Sequence, residues 1–327
     1  MKLSILKLLS CVATSTVLAT SHLTAVAADS TPVKVVASFS ILADMVHQVG
    51  GQNVVVTSLV GPNEDAHVFD PSPADAKALA QADVVVINGL GYEGWIDRLV
   101  KSSGFKGKLV IATDGIKPIQ IKEAEDKGHD HEKHDHDKHD HDKHDHEQHA
   151  HGDYDPHAWQ DLRNAKVYVQ NIRDALISVR PSAANDINLR TDRYLADIDA
   201  LDQKTRNRFA AIPLDDRRVL ASHDAFEYFA QAYSIKFFAL QGWTTEREPS
   251  AADVARLIRE IRHDKVRALF VENMADPRLV QRISDETGVR VSGELYSDAL
   301  SAPGSQADTY LKMFAHNADL IWSALQQ

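Results

Sequence analysis

Two groups of histidines in this 327-residue chain could hold metal ions. Ten of the seventeen lie between His129 and His151, in four pentads of His-Asp-His-acid-Lys/Gln that run from His129 to Gln148. They lead through His149 and His151 into Asp155-Pro156-His157-Ala158-Trp159. The imidazoles of His129, His131, His134, His136, His139, His141, His144, His146, His149 and His151, with the carboxylates between them, are donors for borderline divalent metals, zinc above all. So polar a tract has nothing to bury and is expected to be a disordered, solvated loop. A bare charge run or an expression tag is the competing reading. The tract is internal, interleaved with aspartate and flanked by sequence that reads as folded, which favours weak binding of several ions.

The second group is sparser. Outside the tract and the N-terminal leader, six histidines remain: His47, His67, His157, His223, His263 and His316. His47, His263 and His316 fall in helical patterns and read as non-ligands. His67 follows a strand, His157 precedes a helix, and His223 stands between a strand and a helix. Asp298 follows the last strand. An isolated histidine in such a place is commonly a helix cap or a surface residue, and an aspartate there a turn residue. In open α/β sheets, however, ligands gather outside the carboxyl ends of the strands. Two donors from each half of the chain would place a metal in the cleft between the halves.

The elements that must position them alternate. Val33 to Ser38, Val54 to Val60, Asp83 to Asn88 and Lys108 to Thr113 read as strands, the third a continuous apolar run of the kind buried on both faces. Helical patterns fall between them, over Ile41 to Val49, from Ser72-Pro73 through Ala82, and over Trp95 to Val100. After the tract, Asp161 to Val179 is helical up to Pro181. Ser182 to Ala210 is a longer helix with Ile187, Thr191, Tyr194, Ile198, Leu201 and Thr205 on one face. Strands at Arg218 to Ser222, Ile235 to Leu240, Arg267 to Glu272 and Val289 to Gly293 then resume the alternation. The helices expected with them are Asp224 to Ala232, Ser250 to Arg262, Pro277 to Thr287 and Gln306 to Leu325. The expected fold is α/β: two lobes, each a parallel sheet flanked by helices, joined by one long helix. The boundaries are a leader at 1–27, an N-terminal lobe at 28–181 with the disordered loop at 115–153, a linking helix at 182–211 and a C-terminal lobe at 212–327.

Composition narrows the classes. Hydrophobic content of 43% is ordinary for a globular protein. Eleven acids against four lysines between 123 and 151 supply −7 of the net −11, so the rest is nearly balanced and shows no basic patch for nucleic acid. Lys2 and Lys7, the apolar run Leu8 to Ala19 and Ala25-Val26-Ala27 read as a cleavable secretory signal. The one cysteine, Cys11, lies inside that signal; Leu9-Ser10-Cys11 faintly suggests a lipoprotein leader, but little apolar sequence precedes it. Cleavage after Ala27 leaves a chain without disulfides or thiolate ligands, expected in the periplasm.

Several motifs together resemble the zinc and manganese solute-binding proteins of bacterial ABC importers. They are Gly61-Pro62 with Asp65-Ala66-His67 and Asp70-Pro71-Ser72-Pro73, then Asp155-Pro156-His157-Ala158-Trp159, Ser222-His223-Asp224-Ala225-Phe226 with Tyr228-Phe229, and Leu295-Tyr296-Ser297-Asp298-Ala299-Leu300. The similarity runs from about Val33 to the C-terminus and excludes the tract. Gln160-Asp161-Leu162 departs from the Leu-Asp-Pro usual in the family, which touches only the start of a helix. The resemblance implies two lobes bridged by a backbone helix and a metal held by His67, His157, His223 and Asp298. Manganese-type members carry Glu where His223 stands, so the zinc branch is implied, with Zn²⁺ as the transported ion. The partners expected are an inner-membrane ABC permease and a periplasmic zinc chaperone; no nucleic acid is expected, and the chain is expected to be a monomer. The alternatives are a manganese-binding homologue, or a metal buffer or adhesin with no transport role. Three histidines and a water would also suit a zinc hydrolase. There is no H-E-x-x-H, and Glu272, the best general-base candidate, reads more simply as structural, so no enzyme is expected.

Overall fold

The computed structural model describes residues 31–121, 153–242, 244–246 and 249–327, and Thr31–Gln327 forms one compact unit. The leader at 1–27 and the ten tract histidines lie outside the described residues. Strands β1 (Val33–Phe39), β2 (Val54–Val60), β3 (Val84–Ile87) and β4 (Lys108–Ile111) pair in parallel in the order β2-β1-β3-β4. Strands β5 (Arg218–His223), β6 (Lys236–Gln241), β7 (Ala268–Glu272) and β8 (Val291–Leu295) repeat that order as β6-β5-β7-β8. In both sheets the connections reverse direction after the first two strands. A crevice therefore opens at the carboxyl ends of β1 and β3 in one and of β5 and β7 in the other.

The helices cover both faces of the sheets, which is why β3 is buried at all four positions. Helix α1 (Ser40–Gly50) buries Ile41, Leu42, Met45, Val46 and Val49, a one-sided apolar stripe at helical spacing. Helices α2 (Pro73–Ala80), α3 (Ile96–Ser103) and α4 (Leu162–Val179) complete the first half. Helix α5 (Ala184–Ala210) has 27 residues, about 40 Å at 1.5 Å per residue. It packs on α1 and α4 and also on α6 (Glu227–Tyr233) and α9 (Tyr310–Leu325), so it spans both halves. Helices α7 (Ala251–Asp264) and α8 (Pro277–Thr287) flank the second sheet, α7 opened by a Ser250–Asp253 capping box.

Three differences from the sequence reading have physical causes. First, α6 begins at Glu227 with Phe226 as its N-cap, so His223 is the last residue of β5 and not the cap of a helix. Second, α9 starts at Tyr310, because Thr309 accepts the Lys312 N–H and sets the first turn there. Third, the halves are joined by more than a helix. One apolar core runs from Val33 through Trp159 and Phe229 to Leu325, and only a smaller cluster around Leu257, Leu269 and Ile283 belongs to the second sheet alone. The C-terminal helix makes this union by packing on α1, α5, β7 and β8.

Gly107 directly precedes β4, the last strand of the first sheet. A Cβ there would lie 2.4 Å from the Asp83 carbonyl oxygen and 2.8 Å from that of Ala82, both backbone atoms that cannot swing away. The Asp83 carbonyl also accepts the Lys108 N–H that starts the β3–β4 ladder. Gly107→Ala is therefore expected to lower stability by about 1–3 kcal/mol. Denaturant unfolding of the mature chain, with wild type alongside, checks this.

Candidate metal centre

Each of the four residues singled out from the sequence reaches one point. His67 is carried by the loop after β2, and its backbone N–H donates to Asp65 Oδ1 at 2.8 Å, which tightens that turn. His157 precedes a short 3-10 turn at Ala158–Gln160. His223 ends β5, and Asp298 follows β8. One donor atom from each, His67, His157, His223 and Asp298, lies within 4.8 Å of all the others. Nε2 of His67 and of His223 each stand 3.2 Å from Asp298 Oδ2, and Nε2 of His157 stands 3.6 Å from Oδ1. Ligands 2.0–2.1 Å from a tetrahedral zinc ion would be about 3.3–3.4 Å apart.

The donors suit a cation better than they suit one another. The ligand side is closed off, with His67 8% exposed and the other three at 1% or less. None of the three Nε2 atoms, and neither oxygen of Asp298, makes a hydrogen bond of proper geometry. Buried polar atoms are almost always paired, so five orphans at one point mark a site built for something else to bond. Burial alone would push the Asp298 carboxyl up, but the imidazoles of His223 and His157 outweigh it and hold the group well below the carboxylate range. Burial likewise pushes His223 down, and the carboxylates of Glu272 and Asp298 overcome it and raise the imidazole well above its usual value.

Two carboxylates behind the cluster set which ring nitrogen faces it. Asp155 Oδ1 accepts the His157 backbone N–H at 2.9 Å and lies 2.7 Å from its Nδ1. Glu272 stands similarly behind His223: Oε1 accepts the backbone N–H at 2.9 Å, and Oε2 lies 2.7 Å from Nδ1, close enough to pair but not aligned as a hydrogen bond. A carboxylate that holds the ring proton on Nδ1, as Asp155 does at His157, leaves the Nε2 lone pair free for a metal. Glu272 thus stands behind His223, and neither it nor Glu227 joins the four donors.

The backbone around the donors is pinned across the halves. Asn88, at the end of β3, donates to Pro156 O at 2.9 Å and accepts from Tyr168 Oη, which fixes the residue before His157. Buried Glu93 accepts from Ser38 Oγ and from the Asn88 and Gly89 N–H groups; burial raises its carboxyl, against those three bonds. Trp159 Nε1 and Gln160 Nε2 both donate to Ser297 O at 2.9 Å, tying the residue before Asp298 to the stretch after His157. Asn317 on α9 brackets Tyr296 by accepting its N–H and donating to its carbonyl. Gln160, the departure noted in the sequence, is therefore a bonding partner at the cleft.

A solute carrier, and not an enzyme, is the class these two lobes and their closed, polar cluster define. Residues 35–324 match the model of the zinc-uptake complex component A periplasmic family, ZnuA, and the chain belongs to that family. The manganese-binding lipoprotein MntA of Halalkalibacterium halodurans is 29% identical over 299 residues, 91% of this chain and 90% of that protein. The iron ABC transporter substrate-binding lipoprotein MtsA of Streptococcus pyogenes serotype M1 is 30% identical over 304 residues, with 91% and 90% covered. Among solved structures, the periplasmic zinc binding protein TroA from Treponema pallidum superposes with a TM-score of 0.78 at 26% identity, over 90% of this chain and 99% of that one.

Local sequence offered no sign of Glu272 as a support, because it lies 49 residues from His223. Glu272→Gln tests that support. An amide keeps the acceptor for the His223 backbone N–H but presents an N–H to Nδ1, which drives the ring proton to Nε2. The expected result is metal binding weakened by about 10- to 100-fold with the metal-free fold retained, read by competition with a chromogenic chelator and by circular dichroism.

Proposed function

We propose that this chain is the zinc-capturing component of an ABC import system, binding Zn²⁺ between its two lobes and handing it to an inner-membrane permease. The chain is a metal-binding component of an ABC importer. The observation that carries the finer reading is the donor set. Three imidazole nitrogens and one carboxylate oxygen, buried and unpaired, converge within 4.8 Å of one another. Nitrogen-rich four-coordination suits zinc, while manganese favours oxygen donors and a higher coordination number. His67, His157, His223 and Asp298 are the ligands in this proposal, and Asp155 and Glu272 orient two of them. Relatives at 29–30% identity are named for manganese and iron, which gives a manganese or iron cargo as the second reading.

Export follows from the secretory leader at 1–27. Several relatives are named as lipoproteins, so the mature N-terminus is worth measuring: mass spectrometry distinguishes cleavage after Ala27 from a lipid on Cys11. The tract histidines His129 to His151 are proposed as weak sites that raise the zinc concentration near the cleft.

Competition between zinc and manganese decides the cargo. Wild type is expected to prefer zinc by several orders of magnitude, in line with the Irving–Williams trend. His223→Glu, made together with Glu272→Gln so that no like charge faces the new carboxylate, is expected to weaken zinc and narrow the gap. Wild-type preference for manganese would sink the zinc reading.

A second experiment separates the tract from the cleft. Deleting Gly128 to His151 is expected to leave one tight zinc equivalent per chain and to remove the weak ones, because ordering a flexible tract costs entropy that a folded cleft does not. Calorimetric titration counts both classes, and loss of the tight equivalent would show that the tract supplies a cleft ligand.

A further inference from the structure

The neck from which the histidine tract leaves the fold is described on both sides. Ile121 N–H donates to Asp153 O and Asp155 N–H donates to Ile119 O, each at 2.9 Å, and Gln120 and Tyr154 form an antiparallel bridge. A residue of the other half closes this ladder. The Tyr228 hydroxyl, on α6, donates to Asp155 O at 2.9 Å and accepts the Ile119 N–H at 3.1 Å. It is buried, with Tyr228 only 3% exposed.

The position of this one oxygen has a consequence for the cleft. Helix α6 begins shortly after His223, while Asp155 is the residue whose carboxylate holds the backbone N–H and Nδ1 of His157. A single phenol therefore links the stretches that carry two donors on opposite halves. Burial is the first cause of a phenol pKa pushed up to about 12, against the lowering effect of the Ile119 N–H. The group stays a proton donor across the neutral range. Ring packing needs no hydroxyl, since phenylalanine fills the same space.

We propose that Tyr228 is a positioning residue that fixes His157 against His223 and shields the cleft from the histidine tract. It rests on the reading of the four-donor cluster as the metal site. Whatever the chain does between 122 and 152, its two ends meet at a ladder stitched to both halves. The ladder and the Tyr228 hydroxyl fix where those ends stand, whatever the segment's length. The Asp155 carboxylate, and with it the orientation of His157, stays put.

The test uses the full mature chain loaded with zinc. Zinc loss to a chromogenic chelator is followed by stopped flow, and the His157 ring nitrogens by ¹⁵N NMR. Tyr228→Phe is expected to speed zinc loss about tenfold, the lower end for groups that orient a ligand, with association nearly unchanged and the His157 Nδ1–H signal shifted or broadened. Ile119→Pro withdraws the N–H that the hydroxyl accepts, along with the Ile119 side chain and some backbone freedom, and leaves the Tyr228–Asp155 bond in place, so it should give a smaller acceleration. Replacing residues 122–152 by an Asn-Gly turn should leave zinc loss from the cleft at its wild-type rate, because the ladder stays closed. Wild-type kinetics and an unshifted His157 signal in both substitution variants would overturn the positioning role. Acceleration by the turn replacement as large as that of Tyr228→Phe would overturn the shielding. His157→Ala serves as the control on the underlying reading: if it binds zinc as wild type does, the cleft assignment fails, whatever Tyr228 does.

Discussion

Four donors with their lone pairs aimed at one another, out of reach of water, are the constraint around which the chain is arranged. Leaving a single buried donor or acceptor unpaired costs about 1–3 kcal/mol, and here three imidazole nitrogens and both oxygens of a carboxylate are unpaired together. No local propensity produces such a grouping. It persists because each donor's backbone is tied down by something else: Asn88 to Pro156, Trp159 and Gln160 to Ser297, and Asn317 to Tyr296. The rest of the molecule supplies the stability that this point gives up. A core continuous across both sheets is the main source.

The same device appears twice at the cluster. A carboxylate takes the backbone N–H of a histidine and sits at its Nδ1, once as Asp155 with His157 and once as Glu272 with His223. Such a pair fixes two things with one group, the position of the residue and the tautomer of its ring. His67 is held differently. Asp65 takes only its backbone N–H, and the ring stands edge-on to Tyr92 with centroids 4.8 Å apart. The two better-clamped histidines come from different halves, so each half presents one ring in a fixed place.

The alternation of strands and helices was legible because every strand is short, apolar and followed by a one-sided helix, and these patterns are local. The gathering of His67, His157, His223 and Asp298 was legible for a related reason: they sit at the carboxyl ends of strands or next to a helix start, where chain order already places them on one rim. The exact end of β5 was not. Ser222-His223-Asp224 reads equally well as a strand end or a helix start, and the pairing of His223 with Gln241 of β6 is what extends the strand through it. The shared core was hidden too, since the last helix has an apolar face whose partners, α1 and α5, lie far back in the chain. Asp155 stands two residues before His157, inside the same motif, but Glu272 and Tyr228 had no local signature as supporting groups. Their roles exist only as contacts with residues distant in sequence or across the halves.

Overall likeness carries little information on which ion is bound. Proteins named for manganese and iron are 29–30% identical to this chain, and one named for zinc is 26% identical with nearly the same backbone. A fold that holds through such changes of named metal leaves selection to a few donor atoms and to what stands behind them. In this chain the position behind His223 is informative. Glu272 is fully buried and faces Nδ1, so a second carboxylate in place of the imidazole would meet a like charge in a medium that screens it poorly. An imidazole at 223 instead turns Nδ1 towards Glu272, 2.7 Å from its Oε2. The donor and its support are therefore matched as a pair, and the match favours nitrogen at the third position. That argument runs through two residues and their distance, and it would stand if every relative were named for another metal.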